Sequence, residues 1–130
     1  MGFYKKIKDT FASIVSIGDS DVAVPVDVQA SYAETKQTHN GISVAGNGFS
    51  NGQFFDCSEF NRVAVTMKGA NANVQVEVQW SHDGVNSVNA ETTGLNAPYE
   101  TATKAKFVRL TALNKDTNAQ NISAWLYLKA

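Results

Sequence analysis

Residues 62–80 read Arg-Val-Ala-Val-Thr-Met-Lys-Gly-Ala-Asn-Ala-Asn-Val-Gln-Val-Glu-Val-Gln-Trp, and this stretch decides the fold class. Val63, Val65 and Met67 alternate with Arg62, Ala64, Thr66 and Lys68; Val74, Val76, Val78 and Trp80 alternate with Asn73, Gln75, Glu77 and Gln79. A period of two marks a strand with one face on a core and the other in water. The Gly-Ala-Asn-Ala link at 69–72 is short and turn-prone, so the two runs are expected to pair as a hairpin.

The same rhythm extends in both directions. Residues 106–113 and 120–128 read as two more strands, joined by the polar turn Asn-Lys-Asp-Thr-Asn at 114–118. In the last of them Ile122, Ala124, Leu126 and Leu128 share one face, while Trp125 and Tyr127 make the other face apolar as well. Such a strand needs cover on both sides, expected here from the domain's own loops. Toward the N-terminus, residues 22–32 (Val-Ala-Val-Pro-Val-Asp-Val-Gln-Ala-Ser-Tyr) alternate again, with Pro25 marking an edge or a bulge. Residues 34–41 are polar and read as a loop, 42–44 and 53–57 as short strands, and 46–52 as glycine- and asparagine-rich turn. Residues 81–98 read as surface loop with room for one short strand. The expectation is an all-β, antiparallel sandwich of about seven to eight strands over residues 21–130.

A different kind of sequence precedes it. Phe3, Ile7, Phe11 and Ile14 recur at three to four residues, the spacing of a helix with one apolar stripe. Gly18 is a natural stop, and Asp19, Ser20 and Asp21 form a polar hinge, so residues 1–20 are expected to be an N-terminal arm. Lys5, Lys6 and Lys8 lie near the positive end of that helix's dipole, which disfavours them. An anionic partner would offset this: an acidic patch on another subunit, an anionic membrane surface, or packaged nucleic acid bound without sequence-specific reading. The apolar stripe in turn requires burial, on the sandwich or on another molecule.

Composition narrows the function classes. The chain of 130 residues suits one domain, and eleven basic against twelve acidic residues give a net charge of -1 and no general bias toward polyanions. Cys57 is the single cysteine, cannot form an internal disulfide, and reads as a small core residue. The leader lacks the continuous apolar core of a secretory signal, so synthesis in the cytoplasm is expected.

No catalytic or cofactor motif emerges. Ser81, His82 and Asp83 supply the residue types of a hydrolase triad, but consecutive residues point in different directions and read as a strand end followed by an Asp-Gly turn. His39 and His82 fall in separate loops without a cysteine pair, so no metal site is expected. Gly46, Gly48 and Gly52 precede no helical segment that would cradle a phosphate. A non-enzymatic protein without cofactors is the expectation. Aromatic residues make the better case for binding: Trp80, Tyr99, Trp125 and Tyr127 have flat apolar faces suited to stacking on sugar rings, with Asp83, Asn86 and Asn89 as hydrogen-bonding partners.

Three segments carry a family resemblance: residues 57–68 (Cys-Ser-Glu-Phe-Asn-Arg-Val-Ala-Val-Thr-Met-Lys), 73–84 (Asn-Val-Gln-Val-Glu-Val-Gln-Trp-Ser-His-Asp-Gly) and 106–113 (Lys-Phe-Val-Arg-Leu-Thr-Ala-Leu). Together they resemble the small jelly-roll or discoidin-like β-sandwiches of bacteriophage virions and of carbohydrate-binding proteins. The basic amphipathic leader is similar to the terminal arms by which phage capsid, decoration and minor virion proteins tie subunits to a lattice. The resemblance implies a structural protein located in a virion, joined to itself or to other virion subunits through residues 1–20. The alternative is a carbohydrate-binding or host-attachment module.

Overall fold

The computed structural model describes residues 32–130, and the strands within it are β1 (Ala33–Val44), β2 (Phe49–Asn51), β3 (Phe55–Asp56), β4 (Arg62–Lys68), β5 (Val74–Ser81), β6 (Ser87–Thr92), β7 (Tyr99–Ala102), β8 (Phe107–Asn114) and β9 (Gln120–Lys129). The expected helical arm, its hinge and the strand expected at 22–31 lie outside the described residues. Every ladder is antiparallel. Sheet I has the order β1-β9-β4-β7, and sheet II the order β2-β8-β5-β6 with β3 also paired to β8.

Phe49 lies opposite Leu113 and Phe55 opposite Val108, so β2 and β3 are two pieces of one strand running along β8. Between them Gly52 keeps its amide on the Leu110 carbonyl at 2.8 Å. With β2 and β3 taken together, the pairings run from the outside inward: β1 with β9, β2/β3 with β8, β4 with β7, β5 with β6. That is one long antiparallel ribbon rolled up so that its successive rungs fall alternately in the two sheets.

The alternation read from the sequence sets the inner faces. Val63 and Val65 of β4 with Ala124, Leu126 and Leu128 of β9 meet Val76, Val78 and Trp80 of β5 and Val108 and Leu110 of β8, all buried. A second cluster of Val44, Val74, Ala112 and Ile122 closes one end. Cys57 belongs to the main cluster, its thiol donating toward the Ala105 and Lys106 carbonyls at 3.2 and 3.3 Å. Burial pushes its pKa up to about 11, with the Asp56 charge acting in the same direction. Since the thiolate is the reactive form, native protein at pH 8 is expected to resist iodoacetamide and to be alkylated stoichiometrically once unfolded in urea.

Phe49–Asn51, within the expected turn of 46–52, is instead a short strand on β8, and two larger expectations differ as well. Residues 34–41 are not a loop: they lie within β1, which pairs with β9 from Ala33 opposite Lys129 to Val44 opposite Gln120. β1 is an edge strand, so polar side chains suit it, and register shifts on either side of His39 break the alternation by which a strand is recognised. Glu34 and Lys36 lie opposite the buried Leu128 and Leu126 and pair with each other at 3.3 Å, the inward-pointing charges with which edge strands discourage edge-to-edge association. Nor do β4 and β5 form a hairpin. They belong to different sheets, because their valine faces pack against each other across the sandwich rather than side by side.

The link that crosses between them is held by buried amides. Asn114, 1 % exposed, donates from Nδ2 to the carbonyls of Val44 (2.9 Å), Ala45 (3.2 Å) and Asn118 (2.9 Å), and its Oδ1 accepts from the Asp116 amide and from Gln120 Nε2, both at 2.9 Å. Gln120 also donates to the Asn73 carbonyl at 3.0 Å and accepts the Asn71 amide at 3.2 Å. Gly69 is required at this crossing: a Cβ there would sit 2.6 Å from Gln120 Oε1.

Candidate functional site

The two sheets end at β6 and β7, the edge strands on one side of the sandwich, and a cleft of about 310 Å³ opens there. Trp80, His82, Val88, Asn89, Ala90, Glu91, Lys104 and Ala105 line it. Its centre is Glu91. On β6, Glu91 lies opposite Val78 and Asn89 opposite Trp80, so both occupy the inner face of sheet II, where hydrophobic patterning alone would not place a carboxylate. Tyr99 of β7 lies opposite Val65 and reaches the same point from sheet I.

Trp80 Nε1 donates to Glu91 Oε2 at 2.7 Å and Tyr99 Oη donates to Glu91 Oε1 at 2.6 Å. Lys104 Nζ stands 3.5 Å from Glu91 Oε2 and 6.0 Å from the Trp80 ring centre, and is fixed by Thr101 Oγ1 at 2.7 Å and the Ala102 carbonyl at 3.2 Å. Burial raises the Glu91 pKa, but the hydrogen bonds from Tyr99, Trp80 and Thr101, together with the Lys104 charge, outweigh it and hold the carboxyl below its ordinary value. The hydrogen bond to Glu91, which ionising the phenol would forfeit, raises the Tyr99 pKa, with burial and the carboxylate charge acting in the same direction. Glu91 is therefore an ionised carboxylate with a fixed orientation, tying one sheet to the other across their open edges.

The five residues expected to contact glycan do not form one surface. Trp80 is only 2 % exposed, so its ring faces are core and it serves as a donor at the base of the cleft. Tyr99, half-buried, joins it at Glu91. Trp125 and Tyr127 lie on the outer face of sheet I, Trp125 between Gln37 and Thr66 and Tyr127 between Thr35 and Ala64. Trp125 is half-buried and Tyr127 is 42 % exposed.

Asp83 is committed to its own turn. It accepts from the amides of Val85 and Asn86, both at 2.8 Å, from Asn86 Nδ2 at 3.0 Å and from Ser81 Oγ at 3.0 Å. The Asn86 and Val85 amides lead in holding its pKa well below the ordinary range of an aspartate carboxyl. A group whose folded pKa is depressed stabilises the fold above its unfolded pKa and loses that contribution as pH falls through the folded value. The Val85 and Asn86 amide resonances are accordingly expected to show no inflection near pH 3.8, and to shift only in stronger acid. Ser81 Oγ accepts the amides of Asp83 and Gly84 at 3.3 and 3.0 Å, so this triplet is a turn and its order of residues is not a catalytic relay.

Glu91 and Lys104 are the site residues that sequence reasoning missed. Phe3, Lys5, Lys6, Ile7, Lys8, Phe11 and Ile14, expected in the arm, lie outside the described residues. Among the described residues no group of three or more His, Cys, Asp or Glu is placed to hold a metal ion.

No family model and no curated protein matches the chain. Among solved structures, one titled as the crystal structure of PirA is similar, at 11% sequence identity and a TM-score of 0.40, over 80% of this chain and 99% of that chain. A likeness that distant carries no argument about function.

Proposed function

We propose that this protein is a non-enzymatic structural component of a phage-like virion, a jelly roll that joins its particle through the arm of residues 1–20. The observation that carries the reading is the ribbon pairing, β1·β9, β2/β3·β8, β4·β7 and β5·β6, since a ribbon rolled into two sheets in this order is the jelly-roll plan used by viral capsid and lectin domains. Fold alone does not assign function; the leader supplies the second support. It combines an apolar stripe with Lys5, Lys6 and Lys8, a pattern suited to a neighbouring surface that is apolar and acidic. The inward charges of β1 argue against growth of a lattice by continuation of that sheet edge and leave the work of assembly to the arm.

Each large apolar side chain of the stripe contributes roughly 1.5–3 kcal/mol on full burial, before the cost of ordering the arm. Phe3, Ile7, Phe11 and Ile14 together are sufficient to hold a subunit in a repeated lattice. Replacing Phe3 and Phe11 by Asp is expected to abolish incorporation into particles while the thermal transition of the sandwich stays in place. Normal incorporation of that variant would remove the assembly reading.

A further inference from the structure

We infer that the Glu91 cleft binds an uncharged sugar ring, which gives the protein a recognition function independent of its assembly arm. Glu91 provides the first argument. An ionised carboxylate offers about four acceptor positions; Trp80 and Tyr99 take one on each oxygen, Thr101 a third, and Lys104 Nζ stands 3.5 Å from Oε2, so at most one position stays open to a ligand. What remains accepts only from a donor, such as a hydroxyl, and its orientation is fixed before any ligand arrives, so little ordering cost falls on binding.

The second argument is the pair of uncommitted side chains beside it. Asn89 and His82 are exposed and line the cleft, and their side chains make no hydrogen bond to any other described residue. An amide and a neutral imidazole each both donate and accept, which matches the vicinal hydroxyls of a pyranose. Val88, 55 % exposed, and Ala105 add apolar surface for the C–H face of a ring.

Charge and size then select the class. Lys104 lies beside Glu91, so the site carries both signs in balance and favours neither a cation nor an anion. A volume of about 310 Å³ stands at the small end of the roughly 300–1,000 Å³ of ligand pockets, enough for a terminal sugar residue and little more.

Saturation-transfer difference NMR on the full chain tests this with the methyl glycosides of glucose, galactose and mannose and with N-acetylglucosamine, each at tens of millimolar. Transfer to the ring protons of at least one of them is expected. It should weaken about tenfold or more in Asn89→Ala and in Glu91→Gln, and persist in a Trp125→Ala/Tyr127→Ala double variant. The Asn89 side chain bonds to no described residue and its backbone pairing in β6 is untouched by the substitution, so the variant is expected to keep the thermal transition of the parent chain and to isolate binding from folding. No transfer to any of the four sugars would overturn the assignment, as would transfer that survives both cleft variants or is lost with Trp125 and Tyr127. Tighter binding of glucosamine or glucuronate than of their uncharged counterparts would overturn the choice of a neutral ring.

Discussion

Asn114→Leu is expected to lower the stability of the sandwich by about 3–5 kcal/mol, although the two side chains are similar in size. The amide of Asn114 is the donor for three carbonyls, of Val44, Ala45 and Asn118, and the acceptor for two donors, the Asp116 amide and Gln120 Nε2. A buried polar group left without a partner costs about 1–3 kcal/mol, and those nearest the surface recover part of this from water. The sum is a large fraction of the roughly 5–15 kcal/mol that keeps a domain folded. For a domain of about 100 residues each kcal/mol shifts Tm by about 4–8 °C, so a fall of about 15–30 °C is the measurable outcome in a thermal melt. Asn114→Asp should do no better, because it turns a carboxylate toward three carbonyl oxygens. A loss below about 1 kcal/mol in Asn114→Leu would mean that the three chain crossings gathered here are held by something else.

Trp80→Ala is expected to cost a further class of energy, about 3–5 kcal/mol, the range for removing a large aromatic from a packed core. Trp80 is among the largest fully buried side chains and touches the centre of the main cluster, between Val78 and Val108 on one sheet and the Tyr99 side of the other. Its removal also strips Glu91 of one donor. Trp80→Phe separates the two contributions: it retains most of the ring but not the N–H, and should cost less than the alanine variant while weakening the link between β6 and β7. Denaturant unfolding gives both values. Had Trp80 been an exposed stacking platform, Trp80→Ala would have left stability nearly unchanged, and that result would contradict the burial described here.

Much of the sandwich was legible in the sequence because hydrophobic burial imposes a period of two wherever one face of a strand meets a core. β4, β5, β8 and β9 obey it, and their inward valines and leucines are those the alternation selects. Residues 34–41 of β1 were missed, and only its end at 42–44 was expected as strand, because an edge strand needs no apolar run: its backbone pairs with β9 whatever its side chains are, and the irregularities around His39 scramble its faces. The hairpin was misplaced because a short, turn-prone link is equally suited to reversing within a sheet and to stepping between sheets. What distinguishes them is that the valine faces of β4 and β5 pack across the sandwich, and the Asn114 and Gln120 network then holds the crossing link.

The candidate site was legible only in part. Trp80 and Tyr99 stood out as aromatic residues, and they do meet. Glu91 did not, since in Ser87–Thr92 the apolar Val88 suggests the opposite face from the one that turns inward. A carboxylate on an inner face is intelligible only once donors from another strand of its own sheet and from the facing sheet are seen to converge on it. Asp83 had the right chemistry for a ligand contact, but four local donors already occupy it. Short-range turn chemistry took precedence over recognition there.

The central claim, that residues 1–20 drive assembly, is tested most directly by solution mass. Light scattering after size exclusion would compare the parent chain with the Phe3→Asp/Phe11→Asp variant and with a chain beginning at Asp21. The account predicts oligomers for the parent chain alone, with the double variant at the 14.0 kDa of a single chain and the shortened chain likewise monomeric. Oligomers of equal mass in all three would contradict it, because self-association would then reside in the sandwich and the apolar stripe of the leader would have no part in it.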